Sequence, residues 1–95
     1  MIPRNATCVA VGGRGLLIEG ASGTGKSSLA LALIDRGARL VGDDGVMLEA
    51  EGPRLFASPH PGTRGLLEVR NVGLVPLEPV ERVQVCLVIV LDAQA

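Results

Sequence analysis

Apolar residues run almost unbroken from Ala6 to Val11, stop at Gly12-Gly13-Arg14-Gly15, and resume at Leu16-Leu17-Ile18. Two aliphatic runs joined by a glycine turn predict a β-hairpin whose second strand feeds the next glycine-rich segment. From Lys26 to Arg36 the period changes, with Leu29, Ala30, Leu33 and Ile34 recurring at the three- and four-residue spacing of an amphipathic helix and Gly37 following as its stop. Short strands are predicted over Arg39 to Val41, Val46 to Glu49, Arg54 to Ala57, Leu66 to Arg70 and Gly73 to Val75. The continuous apolar run from Val83 to Leu91 predicts a strand covered on both faces. Ser58 to Gly65 is a loop by composition, either a plain connector or a mobile segment at a site, and His60 within it is given no role. The pattern is a strand-rich α/β fold around one main helix, read as a single domain over residues 1–95 with no repeat or linker.

Composition narrows what such a domain can do. At 95 residues the chain is short for a nucleotide enzyme standing alone, so neighbouring segments are expected to be missing. A formal charge of -1 offers no pull toward nucleic acid or an anionic membrane, and Phe56, the single aromatic residue, offers no platform for stacking bases. Cys8 and Cys86 both lie in apolar runs and read as buried thiols in a reducing compartment. With no signal-peptide stretch at Met1 to Asn5 and no apolar run of membrane-spanning length, the expected location is the cytoplasm.

Candidate chemistry concentrates between the second strand and the helix. Gly20-Ala21-Ser22-Gly23-Thr24-Gly25-Lys26-Ser27 matches the phosphate-loop pattern G-x-x-x-x-G-K-[ST] in full, and Ser28 extends the expected nucleotide contact into the first helical turn. Glycine permits the backbone angles that turn several N–H groups toward one anion, the helix start adds its positive end, and Lys26 carries an ammonium to the β and γ phosphates. Ser27 is placed to hold Mg²⁺ through its hydroxyl. ATP and Mg²⁺ are therefore the expected ligands.

A phosphate loop does not say what becomes of the phosphate, and several carboxylates compete to complete the site. Asp92 ends an apolar strand. Asp43 and Asp44 follow the strand after the helix and could divide metal binding and proton acceptance, although Asp44-Gly45 is equally a hairpin-turn signal. Glu68 and Arg70 stand two apart on a strand-like segment and so share a face, where a solvated pair is the commoner arrangement.

The ordered combination of these segments resembles a known family. Gly13-Arg14-Gly15-Leu16-Leu17-Ile18-Glu19-Gly20, the loop through Ser27, Leu33-Ile34-Asp35-Arg36-Gly37-Ala38-Arg39-Leu40-Val41 leading to Asp43-Asp44, and Leu67-Glu68-Val69-Arg70 with Gly73-Leu74-Val75 together resemble the catalytic domain of HPr kinase/phosphorylase. The likeness is to the short form without the regulatory N-terminal domain. It implies a P-loop domain related to phosphoenolpyruvate carboxykinase and usually hexameric. The implied reaction is ATP- and Mg²⁺-dependent phosphorylation of a serine of HPr, the phosphocarrier of the bacterial phosphotransferase system, together with removal of that phosphate using inorganic phosphate.

By resemblance Asp43 is the general base, Lys26 holds phosphate, Arg70 belongs to the catalytic set, and Ser27, Asp44 and Glu68 stand near Mg²⁺, while Asp92 is reduced to a strand end. The chain departs from the family pattern in three places. Asn5-Ala6-Thr7 stands where the family carries His-Ala-Thr, which removes a titratable group. Arg70-Asn71-Val72-Gly73 replaces Arg-Gly-Leu-Gly, which predicts a slight displacement of Glu68 and Arg70. The sequence also stops at Ala95, where the family continues through a basic loop and C-terminal helices. The alternative expectation is accordingly a nucleotide-binding regulatory module with degraded kinase activity.

Overall fold

A computed structural model describes residues 1–69 and 71–92. Strand β1 is Ile2–Arg4, β2 Thr7–Val11 and β3 Arg14–Glu19. The β2–β3 hairpin closes through Gly12 and Gly13 at φ 56 and 78, with Val11 opposite Arg14, so the turn is two residues long and Arg14-Gly15 already belong to the strand. After the glycine loop comes α1, Lys26–Asp35. It ends in a double reverse bond, Gly37 N–H to the Ile34 carbonyl and Ala38 N–H to the Leu33 carbonyl, both 3.0 Å. This Schellman arrangement satisfies carbonyls that the helix can no longer pair, and it explains the glycine there.

The remaining strands are β4 Arg39–Gly42, β5 Val46–Glu51, β6 Arg54–Pro59, β7 Leu66–Val69, β8 Gly73–Pro76 and β9 Val83–Val90. Among the described residues, seven of the nine strands form one sheet in the order β1-β5-β6-β9-β3-β2-β4, while β7 and β8 pair separately. Strand β9 runs parallel to β3 and pairs antiparallel with β6 through Phe56↔Gln84 and Ala57↔Val83. Since β4 pairs with β2 and β5 with β1 and β6, Asp43-Asp44-Gly45 is not a hairpin turn. It is the bend by which the chain leaves one sheet edge for a distant strand.

Strand β2 is buried on both faces, and its period-two alternation feeds two cores. Cys8 and Ala10 pack with Leu17, Val41, Val46, Ala57 and Val83, whereas Val9 packs with Ile18, Leu40, Leu67 and Ala30 of α1. Burying a side chain such as Ile18 contributes roughly 1.5–3 kcal/mol, so the interior is anchored on the strands flanking the glycine loop. Leu29, Leu33 and Ile34 give α1 its contact with the second core.

Two expectations are corrected. Strand β9 is not covered on both faces, since Leu87, Val88 and Val90 are 59%, 46% and 70% exposed. Its apolar side chains beyond Val85 extend past the two residues that β6 pairs with. For the same reason Cys86 is exposed, while Cys8 is buried as expected. Strand β1, which carries no periodic signal, exists through its pairing with β5. Among the described residues no helix is long and apolar enough to cross a membrane.

Candidate active site

The glycine loop links the end of β3 to α1, and steric demand explains its composition. A Cβ at Gly20 would stand 2.7 Å from Thr24 Oγ1 and 2.8 Å from the Leu91 carbonyl oxygen, so the loop closes against β9 only without a side chain. The Leu91 N–H in turn bonds the Glu19 carbonyl at 2.7 Å. The Thr24 hydroxyl donates to the Ala21 carbonyl at 2.7 Å, folding the loop on itself. At the helix start Gly25 sits at φ 96, and among the described residues neither a capping side chain nor a first-turn acid occupies the amide end. That end is left electropositive.

Lys26 is 6% exposed. Its Nζ donates to the Gly20 carbonyl at 2.7 Å and the Ala21 carbonyl at 3.3 Å, and lies 3.5 Å from Asp44 Oδ1. The ammonium therefore bridges the loop to the acidic bend. Ser22, Gly23, Gly25, Lys26, Ser27, Ser28, Asp44 and Glu68 surround a cavity of about 380 Å³, open on one side. Of the expected nucleotide-binding residues, Gly20, Ala21 and Thr24 shape the loop from behind, while the other six line the cavity.

The two aspartates occupy different environments. Asp43 is 5% exposed and accepts three hydrogen bonds: from the Ser27 hydroxyl at 2.7 Å and the Thr7 hydroxyl at 3.1 Å, both at Oδ1, and from the Glu68 N–H at 2.9 Å at Oδ2. Asp44 has a side chain 50% exposed, lines the cavity and holds its backbone at φ 54. The bend is tight because Gly42 permits it, since a Cβ there would lie 2.4 Å from the Gly45 carbonyl oxygen.

Glu68 arrives on β7, tied to Asp43 through its own amide. Nearby, Asn71 holds its backbone at φ 66, in the left-handed region. Asparagine tolerates the left-handed region better than other non-glycine residues. Arg70 lies outside the described residues. Asp92 is exposed at the end of β9, and the carboxylates that line the cavity are Asp44 and Glu68.

Among the described residues no group of three or more His, Cys, Asp or Glu side chains is arranged to hold a metal ion by itself. Two carboxylates and the Ser27 hydroxyl around one cavity nevertheless suit Mg²⁺, which commonly takes one or two protein carboxylates with phosphates and water completing its shell.

Sequence reasoning missed two threonines. Thr7 is fully buried, and besides donating to Asp43 its oxygen accepts the Asp44 N–H at 3.2 Å. The available signal was a hydroxyl residue inside an otherwise apolar strand. Thr63 Oγ1 is buried without a hydrogen-bond partner among the described residues, and a Cβ at Gly45 would lie 3.2 Å from it and 3.4 Å from the His60 Cβ. The Ser58-to-Gly65 segment thus backs the acidic bend.

A strand-rich α/β domain whose glycine loop, helix start and acidic bend enclose one polar cavity defines the class. The family model for the HPr Serine kinase C-terminal domain matches residues 2–83, and the chain belongs to that family. It is similar to the HPr kinase/phosphorylase of Clostridium tetani, with 53% identity over 68 residues, 70% of this chain and 22% of that protein. The HPr kinase/phosphorylase of Nitrosomonas europaea is 42% identical over 80 residues, covering 83% of this chain and 25% of the relative. The chain thus spans about a quarter of such relatives or less. The solved Hpr(Ser) kinase/phosphatase from Coxiella burnetii superposes with a TM-score of 0.85 at 31% identity, covering 95% of this chain and 65% of that one. The strand-rich α/β reading and the family resemblance are both borne out.

Proposed function

We propose that this domain binds ATP with Mg²⁺ on the Gly20-to-Ser28 segment and transfers the γ-phosphoryl group to a serine of an HPr-type phosphocarrier protein, and that in a second reaction inorganic phosphate takes that phosphoryl group back off the serine, leaving pyrophosphate and the free hydroxyl. The observation that carries the reading is the Ser27–Asp43 hydrogen bond of 2.7 Å, which ties the glycine loop and helix to the acidic bend. A Gly-rich turn with no ligand to hold would not need a buried carboxylate bonded to its serine.

In this reading the loop amides and Lys26 hold the phosphates, and Lys26 exchanges its bonds to loop carbonyls for bonds to phosphate oxygens. Ser27, Asp44 and Glu68 hold Mg²⁺, which neutralises charge on the transferring group when bound. The serine oxygen forms a bond to the γ-phosphorus as the bond to the β-bridging oxygen breaks and ADP leaves. The serine proton goes to Asp43. Three donors occupy three of the roughly four lone-pair sites of that carboxylate, leaving one to accept a proton. Arg70 completes the catalytic set.

A cytoplasmic protein acting as a homo-oligomer, hexameric by analogy with the family, accords with this role. The test is incubation with HPr, ATP and Mg²⁺ followed by intact-mass measurement. The expected result is one added phosphoryl group on HPr. Its absence, under conditions where a complete family member transfers, removes the kinase reading and leaves the regulatory module, for which Asn5 in place of histidine is the motive.

A further inference from the structure

We propose that Thr7 is a positioning residue that sets both aspartates of the acidic bend through a single hydroxyl. This inference rests on the functional reading above. A threonine hydroxyl has one proton and two lone pairs. Here the oxygen accepts the Asp44 N–H at 3.2 Å, so its proton is free to point at Asp43 Oδ1, 3.1 Å away. One side chain therefore fixes the carboxylate of Asp43 and the backbone of Asp44.

The second bond carries the consequence for the cavity. Asp44 is a non-glycine residue at φ 54, a conformation that needs support from its surroundings. The hydrogen bond from its amide to Thr7 supplies that support and keeps the Asp44 carboxylate on the cavity side, 3.5 Å from Lys26. Thr7 is itself immobilised. It is fully buried, pairs with Ile18 across the hairpin, and precedes Cys8, which pairs with Gly42 at the foot of the acidic bend. The strand next to the glycine loop thus transmits its position to the acids that face that loop.

The test compares the full-length chain with Thr7→Val, which keeps the shape and removes the hydroxyl, and Thr7→Ser, which keeps the hydroxyl. Phosphate transfer and nucleotide binding are measured on all three. Thr7→Val is expected to lower kcat roughly 10- to 100-fold, the scale of a lost hydrogen bond to a charged group, with KM for ATP unchanged within about twofold. Thr7→Ser is expected to restore most of the loss.

In calorimetry, Thr7→Val is expected to reduce the gain in ADP affinity that Mg²⁺ confers, while leaving metal-free ADP affinity as in the parent. Thr7→Ala, which also lacks the hydroxyl, gives the same comparison if valine prevents folding. Unchanged kcat and unchanged Mg²⁺ gain in the folded valine variant overturn the proposal, as does a serine variant as impaired as valine. If the parent binds nucleotide but phosphorylates no HPr, the kinase reading fails and the Mg²⁺ gain alone decides on Thr7. A parent that binds no nucleotide overturns both.

Discussion

The Ser27 hydroxyl and the Asp43 carboxylate, sixteen residues apart and on different elements, meet at 2.7 Å. The bond fixes where the hydroxyl proton goes, and Ser27 also lines the cavity. On the proposed reading, a serine whose oxygen coordinates Mg²⁺ would give its proton to a buried acceptor behind it. Asp43, 5% exposed, is that acceptor. The helix start and the acidic bend are consequently one unit, and perturbing either is expected to be felt at the other.

Lys26→Ala tests the phosphate end of that unit. Among the described residues the ammonium is held by carbonyls of its own loop and the half-exposed Asp44, so on the proposed reading it exchanges partners when phosphate binds. Losing a charge-assisted contact to phosphate should weaken ATP binding roughly 10- to 100-fold. Titration calorimetry on folded material measures this directly, and an unchanged affinity would refute the role given to Lys26.

Asp43→Asn separates binding from chemistry. The loop and Lys26 remain, so ATP affinity should stay within a few-fold, whereas loss of a proton-accepting carboxylate typically lowers turnover by about 10²–10⁴. Asparagine also presents an NH₂ group where one of three donors now points, leaving a buried donor unpaired. That costs about 1–3 kcal/mol, a fall in Tm of several degrees for a chain of this size. If Asp44→Asn instead abolishes turnover while Asp43→Asn retains it, the proton acceptor is Asp44, the carboxylate already open to the cavity.

Much of this arrangement is legible in the sequence where the physics is local. Glycine spacing encodes the loop, the helical period marks α1, Gly37 marks its stop, and Gly12-Gly13 marks the hairpin. What sequence hides depends on which strands find each other. Asp44-Gly45 carries the signal of a hairpin turn, and only the pairing of β4 with β2 and of β5 with β6 makes it a crossing bend. Thr7 gains its meaning from a contact spanning thirty-six positions. The run Val83 to Leu91 looks doubly buried because all but Gln84 are apolar, yet exposure depends on what packs over each face, and Leu87, Val88 and Val90 are left exposed. Asn71 adds a local case that composition does not reveal, a non-glycine residue holding φ 66, a region asparagine tolerates better than most side chains.

Gly42→Ala probes the bend sterically. The added Cβ would meet the Gly45 carbonyl oxygen at 2.4 Å and Val46 Cγ1 at 2.7 Å, and the carbonyl cannot swing aside as a flexible side chain would. Overpacking at a fixed position costs about 1–3 kcal/mol or more. Thermal melting should show that loss, with nucleotide-dependent stabilisation reduced as the acids shift. A variant with parental Tm and activity would mean that the bend is looser than its geometry indicates.

The two thiols provide a test of how firmly the doubly buried strand is held. Cys8 lies in β2 and is wholly enclosed, and desolvation pushes its thiol up to about 12. At pH 8 its thiolate is then on the order of one part in ten thousand in the folded state. Burial denies reagent access as well. Cys86 is exposed on β9. Iodoacetamide at that pH should therefore add one label quickly, and peptide mapping should place it on Cys86. A second label should appear only on unfolding, so its rate in native buffer reports opening of the sheet at β2. Prompt double labelling of the native chain would mean that β2, and with it Thr7 beside the acidic bend, is not closed from solvent.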